Sequence, residues 1–133
     1  MPVSRRYELL TWANEKKGRY IIEDDYDSEF RVNGVPISPF FNIDSSEKVI
    51  YMNTFSKSLA PTIRISYMIL PEHLLKKYKK ELGFYSCTVP TFEQYTLASF
   101  ISKGYFEKHI NRMRIYYGKK RKALIENNEA CIY

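Results

Sequence analysis

Three short β-rich runs lie within the first half of this chain, and helix-forming or polar segments separate them. The runs cover residues 19–24, 49–55 and 65–70. A helical pattern over residues 5–16 precedes the first run, and Gly18 is placed to end that helix. A helix, a glycine and then a buried strand form the order of elements that is typical of an α/β fold. We therefore predict an α/β fold whose sheet is built from the first half of the chain.

The first helix and the segment after the first run are defined by simple local signals. Ser4 is a suitable N-cap for the helix. Its apolar stripe is predicted to comprise Leu9, Leu10, Trp12 and Ala13. Residues 30–48 read as a loop, because turn-forming residues are frequent there. The most prominent of these residues are Asn33, Gly34, Pro36 and Pro39.

Helices are predicted for the second half of the chain. Pro71 suits the first turn of a helix over residues 72–84. Thr91 is placed to cap a helix that extends to residue 101, and Gly104 breaks or bends the helical pattern that continues to residue 126. The apolar positions of that last helix are Phe106, Ile110, Met113, Tyr117 and Leu124. The architecture is therefore expected to change near residue 85.

The composition is that of a soluble globular domain. Hydrophobic residues make up 44% and charged residues 27% of the 133 residues. No apolar run approaches the roughly 20 residues that a transmembrane helix needs. The N-terminus lacks the apolar segment of a signal peptide. Cys87 and Cys131 belong to no metal-ligand or redox motif. These observations predict a cytoplasmic protein.

The formal net charge of +6 has a local origin. Residues 103–122 contain eight lysines and arginines and a single acid, Glu107. Such a charge raises the question of nucleic-acid binding, but a basic face of this kind could also bind a phosphate, an acidic partner or a neighbouring subunit. No zinc finger, RNA-binding signature or clear helix-turn-helix accompanies it, so we favour a solvated helix face.

Two polar loops follow the first two runs. We call the sequence "EDDYDSEF", residues 23–30, the acidic loop, and "TFSKSL", residues 54–59, the lysine loop. In open α/β sheets, ligands bind beyond the carboxyl ends of the strands, so both loops are candidate sites by position. The acidic loop lacks the glycine and the flanking helix of an EF-hand, and we predict no metal site there.

The acids of the acidic loop are expected to differ in environment. Asp25, Asp27 and Glu29 read as a solvated turn. Asp24 directly ends a predicted buried strand, where a carboxylate needs a partner.

The lysine loop combines groups that suit a particular kind of ligand. Thr54, Ser56 and Arg64 offer two hydroxyls and a guanidinium, which together can bind a phosphate. The amine of Lys57 can form a Schiff base with an aldehyde. A carboxylate on the adjacent strand, Asp24, could hold a protonated ring nitrogen. Aldehyde, phosphate and ring nitrogen together describe pyridoxal phosphate (PLP). A polar turn beside a strand-end salt bridge is the simpler alternative.

Three stretches of the chain resemble a known family. They are "YIIEDDYDSEF", "VIYMNTFSKSLAPTIRISYMILP" and "FEQYTLASFISKGYFEKHINRMRIYYGKKRKALI". These stretches resemble the fold-type I, class I/II, PLP-dependent aminotransferases, and most closely the aminotransferase-like domain of MocR-type regulators, a subgroup of the GntR family of transcription regulators. The resemblance extends to about Asn127.

The resemblance implies a role for each candidate residue. Lys57 would carry the cofactor as a Schiff base, and in transaminating members it would also move the substrate α-proton. Asp24 would pair with the pyridine nitrogen, and Tyr26 would donate to the phenolic oxygen of the ring. The phosphate would be held by Thr54, Ser56 and Arg64.

The resemblance also implies an architecture. Residues 1–85 would belong to the PLP-binding large domain, in a mixed, mostly parallel sheet with helices. Within it, the first two strands would be parallel and the third antiparallel. Residues 86–133 would form connecting and small-domain helices, so the basic segment would be a small-domain helix. A homodimer is expected, since the active sites of the family lie at a subunit interface.

Three functions remain open at this stage, and the third of them is a binding module whose basic helix contacts nucleic acid, with a vestigial cofactor site. The first is a cofactor-binding domain of a MocR-type regulator, with an amino acid or amine as effector and with DNA bound only through a winged helix that this chain does not contain. The second is part of a free-standing aminotransferase that acts on an amino acid and a 2-oxo acid. In each case the chain resembles an internal fragment. It lacks counterparts of the family's glycine-containing phosphate loop, ring-stacking aromatic and substrate-binding arginine, so we expect no turnover by this chain alone.

Overall fold

A computed structural model of the chain describes residues 1–26, 28–30 and 38–129. The strands are β1 (Ile21–Asp24), β2 (Val49–Thr54) and β3 (Ser66–Ile69). The helices are α1 (Val3–Asn14), α2 (Phe40–Ile43), α3 (Phe55–Ser58), α4 (Glu72–Leu82), α5 (Thr91–Ser102) and α6 (Tyr105–Glu129), with a single 3-10 turn at Ser28–Phe30. The residues Asp27, Asn33, Gly34, Pro36 and Cys131, which were singled out in the sequence, lie outside the described residues.

The three strands form one mixed sheet in the order β1-β2-β3. β1 is parallel to β2, with Ile21 opposite Val49. β3 is antiparallel to β2, with Ser66 opposite Thr54. The α/β class and the predicted strand directions are therefore confirmed. Because β1 and β2 are parallel, their carboxyl ends meet at the same edge of the sheet, and the loops that follow them lie side by side.

The core lies between α1, α2 and the sheet. Leu10, Phe40 and Val49 form its buried cluster, and Val49 is only 1% exposed. The guanidinium of Arg6 is also buried there, where it donates to the carbonyl of Ser38 and covers the Phe40 ring at 4.8 Å. The apolar surface that α1, α2 and β2 bury in this cluster holds α1 on the sheet.

The prediction for the first helix was correct in place and wrong in two details. The helix begins at Val3, one residue before Ser4, and follows Pro2 with no side-chain cap. The buried positions are Arg6, Leu10 and Ala13, which are spaced as one face of a helix. Trp12 is off that face and 46% exposed, and it is covered instead by the guanidinium of Arg19 at 4.5 Å.

The short helix α2 lies in a segment that was predicted to be a loop. Pro39 precedes it, and the Glu23 carboxylate accepts hydrogen bonds from the backbone N–H groups of Phe40 at 2.8 Å and Phe41 at 3.0 Å. These are two of the N–H groups that a helix start leaves without intrahelical partners. A residue of β1 therefore fixes the start of α2, and this contact between distant residues has no local sequence signal.

The helices of the second half were predicted to within a few residues. Pro71 and Pro90 immediately precede α4 and α5, and Gly104 separates α5 from α6 with a φ of 71°. Along α6, the predicted apolar position Ile110 is buried, whereas Leu124 is 64% exposed. None of the helices in the described ranges is both long and apolar enough to cross a lipid bilayer.

Asp44 gives a test of the connection between α2 and β2. Its carboxylate accepts hydrogen bonds from the N–H groups of Ser46 at 2.9 Å, Lys48 at 2.6 Å and Val49 at 2.8 Å. We expect Asp44→Ala to lower the free energy of unfolding by about 1–3 kcal/mol, because part-buried backbone donors lose their acceptor. The measurement is urea denaturation followed by circular dichroism. The control is Glu72→Ala, since Glu72 forms an exposed ion pair with Lys76. Equal losses of unfolding free energy in both variants would contradict the prediction.

Candidate functional site

The end of β2 and the segment after α3 bring two hydroxyls and a guanidinium together. Thr54 Oγ1 accepts from Ser56 N–H at 3.2 Å and donates to the Ile65 carbonyl at 3.2 Å. Ser56 Oγ donates to the Ile63 carbonyl at 2.6 Å, and Arg64 Nη1 lies 3.5 Å from the same hydroxyl. The structure therefore places Thr54, Ser56 and Arg64 in one cluster, which we call the hydroxyl–arginine cluster.

Local backbone geometry explains this clustering. Thr54 leaves β2 in an extended conformation and its hydroxyl caps α3. The Phe55 N–H then bonds to the Ile65 carbonyl at 2.9 Å, which folds the intervening segment back onto the loop. Arg64 is exposed, and among the described residues no carboxylate pairs with it. Its positive charge is therefore available to an anion.

Lys57 lies in α3 between the half-buried Ser56 and the buried Ser58, and its own side chain is exposed. Its Nζ atom is 5.4 Å from the centre of the Tyr26 ring, so the lysine loop and the acidic loop are in contact through these two side chains. The backbone of α3 is fixed by His109 of α6, whose Nε2 donates to the Ser58 carbonyl at 3.1 Å. An exposed amine therefore projects from an anchored backbone.

Asp24 does not have the environment that the sequence predicted. It lies at the end of β1 opposite Met52, two positions before Thr54, but its side chain is exposed and forms no hydrogen bond or ion pair with the described residues. The expectation of a buried strand was wrong, since Ile22 is 66% exposed. The physical reason is that the described residues cover only one of the two faces of β1.

Asp25 and Glu29 also differ from the prediction, because they are less exposed than a solvated turn would leave them. Tyr51 OH donates to Asp25 Oδ2 at 2.8 Å, and Asn53 Nδ2 donates to Glu29 Oε1 and to Tyr51 OH, both at 3.1 Å. We call these four residues the polar network. Both acids are half-buried, so the prediction of a solvated turn was wrong for them. The sequence contained one signal for this network. Tyr51 and Asn53 are two positions apart on a predicted strand, so their polar side chains must lie on the same face of the sheet.

Burial changes the acidity of two phenols, that of Tyr51 within the polar network and that of Tyr67. Burial raises the pKa of Tyr51, and the hydrogen bond to the Asp25 carboxylate raises it further. The pKa of Tyr67 is also raised by burial. The hydroxyl of Tyr51 therefore stays protonated at neutral pH and acts as a donor to Asp25. Within the described ranges, no three or more His, Cys, Asp or Glu side chains are grouped as metal ligands.

The basic segment lies on α6, and most of its cations are exposed. One of them is used inside the fold, since Arg114 Nε donates to the Glu29 carbonyl at 2.5 Å. A second contact from α6 to the acidic loop is the edge-to-face pair of Phe30 and Tyr117, with ring centres 5.7 Å apart. The helix therefore supports the acidic loop from one side.

No protein-family model matches the chain. It is 52% identical over 126 residues to an uncharacterised HTH-type transcriptional regulator, YdeL, of Bacillus subtilis (strain 168), and this match covers 95% of the chain and 27% of the relative. It is 39% identical over 125 residues to the probable rhizopine catabolism regulatory protein MocR of Rhizobium meliloti, with coverage of 94% and 25%.

Among solved structures, the chain resembles the kynurenine aminotransferase of Pyrococcus horikoshii in complex with PMP. The TM-score is 0.79 at 34% identity, and the match covers 97% of this chain and 32% of the aminotransferase. The fold is therefore that of the fold-type I, PLP-dependent aminotransferases. Within that class, the chain is homologous to a segment of the aminotransferase-like domain of MocR/GntR-type regulators. It spans about a quarter of the length of the curated relatives it matches.

Proposed function

We propose that this chain is the segment of a MocR-type regulator that anchors pyridoxal phosphate, with Lys57 as the point of covalent attachment. One observation carries the proposal. Lys57, an exposed lysine on the anchored helix α3, directly follows Ser56 of the hydroxyl–arginine cluster at the end of the sheet where two parallel strands end, and the guanidinium of that cluster has no carboxylate partner among the described residues. In open α/β sheets this edge is where ligands bind.

The donor set suits this cofactor. A phosphate needs several hydrogen-bond donors and a positive charge, which the hydroxyl–arginine cluster can supply after Thr54 and Ser56 turn their hydroxyls from the backbone carbonyls. The amine of Lys57 can attach to the aldehyde, and the hydroxyl of Tyr26 lies on the side chain that Lys57 already contacts. Asp24 is the carboxylate assigned to the ring nitrogen, and its exposed position leaves it free to accept that bond.

Bound PLP supplies an electron sink for reactions at the α-carbon of amino acids and amines. The residues of this chain would bind the phosphate, hold the ring and retain a proton at the ring nitrogen. We propose that residues 1–85 form the last part of the cofactor-binding domain and residues 86–133 the helices that lead to the small domain. A cytoplasmic homodimer that responds to an amino acid or amine, with DNA bound through a winged helix outside this chain, completes the proposal.

A free-standing aminotransferase is the second candidate. The observation that favours it is the match to the archaeal aminotransferase fold over nearly the whole chain. The coding sequence upstream of Met1 separates the two: a GntR-type winged helix encoded there supports the regulator, and an uninterrupted aminotransferase N-terminus supports the enzyme.

The binding of two ligands tests the proposal at the level of the site. We expect the purified chain to bind PLP at least about tenfold more tightly than pyridoxal, because a charge-assisted phosphate site contributes more than the roughly 1.4 kcal/mol that tenfold requires. The measurement is a titration of the cofactor absorbance. Equal affinity for the two ligands would contradict the assignment of the hydroxyl–arginine cluster.

A further inference from the structure

Asn53 connects the two loops that meet at the sheet edge. It is only 4% exposed and lies in β2 directly before Thr54, the first residue of the lysine loop. Its Nδ2 group donates to Glu29 and to Tyr51 OH, and its Oδ1 atom accepts from the Thr54 N–H at 2.5 Å. Both amide hydrogens and the amide oxygen are therefore used. Glu29 stands 24 residues earlier in the chain, so this is a tertiary contact.

From this arrangement we infer that Asn53 is a positioning residue for the phosphate half of the site. The inference rests on the proposed function. Asn53 lies on the opposite face of β2 from Thr54, since adjacent side chains of a strand alternate. It therefore acts through the backbone of Thr54, the residue whose hydroxyl caps α3 and belongs to the hydroxyl–arginine cluster.

The other end of the contact is also fixed. Glu29 is held by α6, because Arg114 donates to its carbonyl at 2.5 Å and the neighbouring Phe30 packs edge-to-face on Tyr117. A continuous set of contacts thus runs from α6 through Glu29 and Asn53 to Thr54. The position of the phosphate-binding hydroxyl is therefore set from outside the lysine loop.

The environment of the Glu29 carboxylate explains why losing its hydrogen bond from Asn53 should affect the site. Among the described residues, Asn53 is the hydrogen-bond donor to the Glu29 carboxylate, and the second oxygen, Oε2, is buried with no partner there. Removing the amide leaves a buried carboxylate without a donor, which is costly. We expect the end of β2, and with it the backbone of Thr54, to lose its fixed position as a result.

Paired variants test this inference through the ratio of PLP affinity to pyridoxal affinity. Asn53→Ala should weaken PLP binding by about tenfold and leave pyridoxal binding within about twofold, since pyridoxal has no phosphate. Glu29→Gln alone should change little, because the new amide oxygen still accepts from Asn53. The double variant N53D/E29Q reverses donor and acceptor and should restore PLP binding to within about threefold of the original.

Two further variants distinguish a positioning role of Asn53 from a general loss of stability and from an effect of the Glu29 charge. N53A/E29Q removes the Glu29 carboxylate, as N53D/E29Q does, but restores no hydrogen bond between positions 53 and 29, so it should remain weak for PLP. Asn14→Ala is the control, since Asn14 also makes a side-chain hydrogen bond, to the Leu10 carbonyl at 2.9 Å, but within α1. If Asn53→Ala does not fold, N53D and N53D/E29Q provide the same contrast.

The outcomes are distinct. An unchanged PLP-to-pyridoxal ratio in Asn53→Ala, with a lower melting temperature, would show a purely structural role and overturn the inference. Recovery in N53A/E29Q equal to that in N53D/E29Q would also overturn it, because buried charge alone would then explain the loss. Equal binding of PLP and pyridoxal by the unmodified chain would overturn the proposed function, and this inference with it.

Discussion

Lys57→Ala is expected to abolish the covalent capture of pyridoxal phosphate by this chain. After incubation with PLP and reduction with borohydride, the unmodified chain should retain one cofactor in a stable adduct, and the variant should retain only the background of its other lysines. The reason is that Lys57 is the amine placed beside the hydroxyl–arginine cluster and Tyr26. The intact mass of the reduced protein measures the effect.

The fold should be unaffected by this substitution. The Lys57 side chain is exposed, and exposed substitutions usually change the free energy of unfolding by no more than about 0.5 kcal/mol. Lys119→Ala is the matched control, because Lys119 is an exposed lysine on α6 outside the site. Equal labelling of Lys57→Ala and Lys119→Ala would contradict the assignment of Lys57.

Arg64→Ala is expected to raise the Kd for PLP by about tenfold or more. A hydrogen bond to a charged group contributes about 1.5–3 kcal/mol, which corresponds to roughly 10- to 150-fold in affinity. The affinity for pyridoxal should change little, because the guanidinium is assigned to the phosphate. The PLP affinity of Arg64→Lys should lie between those of the unmodified chain and of Arg64→Ala. An ammonium keeps the positive charge but lacks the planar fork that bonds two phosphate oxygens.

The control for Arg64 is Arg121→Ala, which removes the same charge from an exposed position on α6. It separates binding at the site from general attraction between a cationic chain and an anionic ligand. A similar loss of PLP affinity in both variants, or an equal loss for PLP and pyridoxal in Arg64→Ala, would contradict the phosphate assignment.

The strand pattern was predictable because its signals are local. Runs of β-branched and aromatic residues ended by polar loops gave β1, β2 and β3 to within two residues at either end. Pro71 and Gly104 marked the start of α4 and the break before α6. The strand directions came from family resemblance, since no local signal distinguishes a parallel from an antiparallel partner.

The candidate site was predictable in part for the same reason. Thr54, Ser56 and Arg64 lie within eleven positions of one another, and the turn that clusters them is local. The environments of Asp24 and Asp25 were not predictable, because they depend on what covers each face of β1. Asp24 lies on the face of β1 that the described residues leave uncovered, whereas Asp25 meets Tyr51 of β2.

The role of Glu29 illustrates the limit most clearly. Its sequence neighbours suggest a solvated acidic turn, but its partners are Asn53 of β2 and Arg114 of α6, far away in sequence. Contacts of this kind arise from the packing of α6 against the 3-10 turn at Ser28–Phe30. Only the three-dimensional structure shows that an acidic residue connects the last helix with the end of β2.

The most direct test of the central claim is to map where pyridoxal phosphate attaches to the unmodified chain. The chain is incubated with an equimolar amount of PLP, reduced with borohydride, digested and analysed by mass spectrometry of its peptides. We expect the adduct to be concentrated on Lys57, in competition with the exposed lysines of α4 and α6. Adducts distributed evenly over those lysines, with no excess at Lys57, would contradict the central claim.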